Sequence, residues 1–181
     1  MQQNQHDSDQ GPDLPAFALG IYKADGVPAA CLLLQERADL DVNLVLCAAY
    51  IGVQRRTLSD EHLAELSHRI GAWHREVVRP LRGIRTRLKS GPPPAPDKRT
   101  AALRAAIQKL EIEAEVIELA ELGQVTATLQ TESAYDDETT CAAAAIEVVV
   151  RAKIPRDLDV DENAAISCIA GAAVAFVDEI A

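Results

Sequence analysis

The chain has 181 residues and a mass of 19.5 kDa, enough for one domain or one domain with an appended piece, and enough to bury a core without a disulfide or metal staple. Apolar residues make up 48% and charged residues 25%, which excludes collagen-like, disulfide-scaffold and wholly disordered classes; aromatics at 3% call for an aliphatic core of closely packed helices. The net charge of −10 is polarised, with −5 over residues 1–54, +8 over 55–109 and −13 over 110–181.

Residues 1–13 are polar and acidic and read as a disordered leader; without a basic n-region or an apolar h-region they are not a secretory signal. Pro15, in the first turn after Leu14, starts a short helix through Phe17, Leu19, Ile21 and Tyr22, ended by the turn chemistry of Asp25-Gly26. A second helix starts near Val27-Pro28 and carries Cys31, Leu32, Leu34 and Gln35. Asp39 and Asp41 mark a break, and Asp41 is a good N-cap for a third helix, Val42 to about Val53. That helix is apolar nearly all round, which predicts a central position. Ser59 caps a fourth helix, with Asp60 and Glu61 at its positive end. Ile70, Trp73, Val77, Leu81, Ile84 and Leu88 form its apolar stripe, and Pro80 within the stripe predicts a kink or two abutting helices.

Gly91 to Pro96 reads G-P-P-P-A-P, a stiff, extended linker (91–97) between a helical core at 14–90 and an acidic helical part at 98–181 that packs on it. Asp97 caps a fifth helix of about 25 residues, with Leu103, Ile107, Leu110, Ala114 and Ile117 as its apolar stripe. Val125 to Thr131 alternates enough for a short strand (125–131). Thr139 or Thr140 caps a helix to about Lys153, ended by Pro155, and Asp161 caps the last one, through Ile180. The expected fold class is all-α, an irregular bundle of six or seven helices. The uncharged run from Ala164 to Val177 has 14 residues, short of the roughly 20 a bilayer span needs, so no membrane association is expected. Cys31, Cys47, Cys141 and Cys168 lie far apart among aliphatic residues with no C-x-x-C, as buried reduced thiols of a cytoplasmic protein do.

Motifs for chemistry are scarce. Asp39-Leu40-Asp41-Val42-Asn43 begins like a calcium loop but has Leu44 where glycine is required and Tyr50 where the bidentate glutamate belongs; Asp157, Asp159 and Asp161 fail in the same way, so both read as helix caps. His62, His68 and His74 are six residues apart, each turned by about 120° from the last around a helix, and do not converge. Glu65-x-x-His68 lacks the second such motif that a di-iron site requires. No phosphate loop, nucleophile elbow or zinc constellation is present, and no metal or cofactor is expected. Gln35 and Asn43, in apolar surroundings, read either as an interhelical hydrogen-bond pair or as polar groups of a ligand cleft.

Tyr22 to Gln35 fits Y-x-x-x-G-V-x-x-A-C-L-x-L-Q, Asp41 to Leu44 reads D-V-N-L, and Trp73 to Arg82 fits W-x-x-x-V-V-x-P-L-R. On these motifs the chain resembles a bacterial family of small helical proteins catalogued as a domain of unknown function. The likeness covers roughly 17–89 and continues more weakly through 107–122, leaving the C-terminal third unmatched. It implies a helical fold and no particular activity, and its motifs point to Gln35, Asp41 and Asn43.

The most conspicuous surface is basic. Six of the seven charges from Arg75 to Lys89 are positive; at about 100° per residue Arg75, Arg79 and Arg82 share one face opposite the apolar stripe, flanked by Arg85 and Lys89. That face is either solvated, or paired with the chain's own acidic helix (Glu111, Glu113, Glu115, Glu118, Glu121), or docked on an external partner. An acidic protein surface fits better than nucleic acid, since the chain is acidic and no aromatic stacking platform accompanies the arginines. The expectation is a non-catalytic interaction or regulatory module docking through this face, with Trp73 as a packing anchor. The alternative is a small-molecule-binding protein or enzyme with a cleft around Gln35, Asp41, Asn43 and Tyr50.

Overall fold

A computed structural model describes residues 12–131 and 137–180. Its elements are α1 (Leu14–Ile21), α2 (Val27–Ala38), α3 (Val42–Val53), α4 (Asp60–Trp73), a π-turn (His74–Val78), α5 (Arg79–Arg87), α6 (Lys98–Thr128), α7 (Glu138–Arg151) and α8 (Val160–Ile180). Because α4, the π-turn and α5 run on without a break, the described residues form seven helical rods and no strand. Most of the leader lies outside the described residues; Asp13, at its end, already caps α1 by accepting the Ala16 N–H at 2.9 Å.

Helix α3 is the centre of the bundle. Asp41 caps it, and Val45, Leu46, Cys47, Ala48, Ala49, Ile51 and Val53 are all buried. Its closest neighbour is α7, and the approach depends on the missing side chain of Gly52: a Cβ there would stand 2.3 Å from the Ala142 Cα. Helix α1 closes one end through Phe17, whose ring meets Tyr50 and Phe176 edge-on at 5.1 and 5.8 Å. Helix α2 lies along α8, and Arg37 reaches Asp159 and Asp161 from its last turn. Helix α8 is long and apolar enough to cross a membrane by length and composition, yet its Ala165, Ile166, Ile169, Ala170 and Ala173 are core residues.

Several boundaries differ from the sequence reading. Residues 125–128 are helical, not a strand: burial falls on Leu119, Leu122, Thr126 and Leu129, a helical spacing, and the Thr126 hydroxyl donates to the Leu122 carbonyl at 2.7 Å. Asp137, ahead of both expected threonines, caps α7. Asp159 rather than Asp161 caps α8, accepting the Glu162 N–H while the buried Glu162 carboxylate accepts the Asp159 N–H, each at 2.9 Å. The proline-rich segment turns instead of extending: the Ala95 N–H donates to the Pro92 carbonyl at 2.9 Å, and the chain reverses so that α6 runs back along α5. Pro80 acts one turn upstream. It has no N–H to offer the carbonyl of Glu76, and the helix widens there into the π-turn, where the Arg79 N–H bonds the His74 carbonyl.

Candidate functional site

The π-turn carries an extra residue, which turns α5 by about 100° relative to a straight continuation of α4. The expected stripe is displaced accordingly. Val78 rather than Val77 is buried, Ile84 is exposed, and Trp73 is partly exposed with its indole N–H on the Ala114 carbonyl at 3.0 Å. The inner face of α5 is made by Leu81, Arg82, Arg85 and Leu88.

Helix α6 departs from its expected stripe as well. Ala114 is buried, but Leu103, Leu110 and Ile117 are about half exposed, and the inner face presents Glu111, Glu115 and Glu118 beside Ala114. The reason is partnership, because carboxylates can be buried where cations face them. Arg82 donates to Glu111 at 3.0 Å and to Glu115, and Arg85 donates to Glu111 through two of its nitrogens. Burial alone would raise the Glu111 carboxyl, but the hydrogen bonds from Arg85 and Arg82 outweigh it and hold the group below its ordinary value. For Glu115 burial wins and the carboxyl is raised.

The ladder continues into a tighter cluster. Asn43, one residue inside α3, binds both of the carboxylates that flank it: its backbone N–H donates to Asp41 Oδ1 at 2.9 Å and its amide Nδ2 to Glu118 Oε2 at 2.7 Å. The other oxygens, Asp41 Oδ2 and Glu118 Oε1, each lie 3.0 Å from Nδ1 of His74, the first residue of the π-turn. Ionised carboxylates only accept, so Nδ1 carries the proton. The hydrogen bonds to Asp41 and then Glu118 raise the imidazole to about 9, while burial raises Glu118.

Beside this cluster a cleft of about 390 Å³ opens between α1, α2, α3, α5 and α6. Gln35, Asp41 and Asn43 line it together with Tyr22, Gln108, the Arg82/Arg85/Glu111/Glu115 ladder and an apolar wall that includes Leu19, Leu32 and Leu46. Gln35 and Asn43 do not pair with each other: Asn43 is taken by Glu118, and the Gln35 side-chain amide makes no hydrogen bond to another described residue. Tyr50 is not in this cleft. Two turns along α3 from Asn43, about 10 Å on, its hydroxyl donates to the Pro12 carbonyl at 3.2 Å in a separate groove at the end of the bundle.

The expected basic face is divided. Arg82 and Arg85 point inward; Arg75 and Arg79 remain outside, on the surface carboxylates Glu76 and Asp39; Lys89 is exposed near the turn into α6. Of His62, His68 and His74, the last alone enters the cluster; His62 belongs to the Ser59 capping box and His68 is exposed. Cys31 and Cys47 are buried thiols, each pushed up to about 12 by burial. The sequence reading missed the combination of Asp41, His74 and Glu118. The signal available was the spacing of Glu111, Glu115 and Glu118, which puts three carboxylates on one face of a helix.

No curated protein and no solved structure matches the chain. A family model does, over residues 13–122, an interval that contains every residue of the cleft and of the Asp41, His74 and Glu118 cluster. The chain therefore belongs to the family described as Protein of unknown function (DUF2390).

Proposed function

We propose that the protein binds a small organic molecule in the cleft between α1, α2, α3, α5 and α6. One observation carries this reading. The charged groups around the cleft are already engaged with one another, whereas the Gln35 amide, the Gln108 amide and the Tyr22 hydroxyl line it without a hydrogen bond to another described residue. Neutral polar groups left over beside an apolar wall are what a ligand site needs to orient its occupant, and the volume suits a small ligand. The ligand class is an uncharged or weakly charged molecule, with hydrogen-bonding groups on one edge and an apolar body against Leu19, Leu32 and Leu46. The engaged arginines hold α5 on α6 and shape the wall.

The competing reading, docking of an acidic protein through the arginine face, keeps Arg75, Arg79 and Lys89 of its five residues as outward groups, and two of these share surface carboxylates. Salt separates the two readings, since exposed charges are screened over about 10 Å at 0.1 M. The test is a thermal-shift screen of the full chain against small polar metabolites at low and high salt, repeated with Gln35→Leu. The expected result is a compound that stabilises the wild type at both salt concentrations and not the variant. Stabilisation retained by Gln35→Leu would overturn the cleft. So would an acidic protein captured at low salt and lost on Arg75→Glu/Arg79→Glu, with no compound stabilising the wild type.

A further inference from the structure

We infer that Asp41, His74 and Glu118 form a binding site for one divalent first-row transition-metal ion, set beside the cleft. Three features of the geometry converge on this. The first is the placement of the donor atoms: a carboxylate oxygen from the start of α3, Nδ1 from the π-turn and a carboxylate oxygen from the middle of α6 lie within 4.8 Å of one another. Asp41 Oδ2 and Glu118 Oε1 are each 3.0 Å from Nδ1, close to the separation of about 3.3 Å between neighbouring ligands of an ion bound at about 2.0–2.1 Å.

The second is that both carboxylates are aimed. Each has one oxygen held by Asn43, through the backbone N–H for Asp41 and the amide for Glu118, so that the remaining oxygen of each faces the imidazole. Hydrogen bonds that fix the unused side of a ligating group are the usual outer layer of a metal site. The Asn43 side chain is itself buried, which keeps its amide on Glu118.

The third is charge. The cluster and the adjoining ladder bring together four carboxylates, Asp41, Glu111, Glu115 and Glu118, against two guanidiniums, Arg82 and Arg85. The carboxylates outnumber the guanidiniums by two, and one of them, Glu118, is fully buried. A divalent ion matches that excess. One nitrogen and two carboxylate oxygens suit zinc, manganese or iron(II) better than calcium or magnesium, whose sites are built from oxygens alone. Asp41 also lines the cleft, so an ion held here adjoins the proposed ligand space. The site does not depend on that ligand, because the three donors belong to the protein.

The experiment titrates the full chain, stripped with chelator and exchanged into metal-free buffer, with Zn²⁺, Mn²⁺ and Mg²⁺ by calorimetry. Co²⁺ is added in parallel as a spectroscopic probe, its d–d bands reporting a nitrogen–oxygen coordination sphere. The variants are Asp41→Asn and Glu118→Gln, which keep the α3 cap and the acceptor for Asn43 while removing charge, together with Asn43→Leu and the control His62→Ala/His68→Ala. The expected result is one Zn²⁺ or Mn²⁺ per chain and weaker Mg²⁺. Affinity falls on the order of 10–100-fold in Asn43→Leu and at least as far in the two ligand variants, and the control is unchanged. Circular dichroism establishes that each variant is folded; if Asn43→Leu is not, the two isosteric variants decide. Absence of binding at millimolar ion, binding unchanged in Asp41→Asn and Glu118→Gln, or binding lost in the His62/His68 control would each overturn the site.

Discussion

Glu111 is the residue on which the inverted packing of α5 and α6 turns. It is almost wholly buried and accepts from Arg82 at 3.0 Å and from both Nε and Nη2 of Arg85. Glu111→Gln preserves shape but removes the anion, leaving Arg82 with Glu115 and Arg85 with no carboxylate. Breaking a fully buried pair costs about 3–5 kcal/mol. The side chains of Arg82 and Arg85 are 27% and 21% exposed, so water recovers part of the loss. The expected cost is about 2–3 kcal/mol, from hydrogen bonds to charged groups contributing about 1.5–3 kcal/mol each and partial resolvation of the freed guanidinium. For a domain of this size that is a Tm lowered by about 5–10 °C. Arg85→Gln and the double variant complete a cycle followed by urea unfolding at neutral pH, with an expected coupling of about 1–3 kcal/mol. Additive single costs would refute the reasoning, because they would mean that the arginines stand in solvent as the straight-helix projection had them.

The same glutamate sets an acid response. Its folded carboxyl is held below the ordinary value, so its stabilising contribution is complete above the usual carboxylate range and is lost as pH falls through the folded value. Urea midpoints of wild type and Glu111→Gln should therefore draw together as pH falls below the ordinary carboxylate range; a constant gap would contradict this. Gly52→Ala, whose Cβ would meet the backbone of Cys141 and Ala142, should cost about 3 kcal/mol or more despite the better helix propensity of alanine. Gly71→Ala and Gly83→Ala, with nothing within 4 Å, should gain up to about 1 kcal/mol in the same melts. Leu110→Gln, on the exposed side of α6, should change stability by less than about 0.5 kcal/mol. Leu122→Ala, fully buried, should cost about 2–5 kcal/mol.

Local chemistry was legible in the sequence wherever one residue decides the outcome. Asp41, Ser59 and Asp97 cap the helices they were expected to cap, and the nearly all-round apolarity of α3 marks it as the central helix. What was not legible depends on distant partners. A stripe rule that puts only apolar residues inside fails for α6, because Glu111 and Glu118 share its inner face with Ala114, Leu119 and Leu122, drawn there by Arg82, Arg85, Asn43 and His74 from two other rods. A projection at constant angle fails across the π-turn: Arg79 stays outside, while Arg82 and Arg85 turn onto Glu111 and Glu115 of α6, the pairing that the sequence offered as one reading of this face. Gln35 and Asn43 stood out as polar residues in apolar surroundings, and the family motifs pointed to them together with Asp41. His74 and Glu118 did not stand out, because one lay among three surface-type histidines and the other among five glutamates of an acidic helix.

The most direct measurement is native mass spectrometry of the full chain purified from its own host without chelator, alongside Gln35→Leu and Glu118→Gln. The account predicts a wild-type mass raised by one small organic molecule and one metal ion, the molecule lost from Gln35→Leu and the ion from Glu118→Gln. The contradicting result is a wild-type chain that carries neither and instead travels with an acidic protein released by Arg75→Glu/Arg79→Glu.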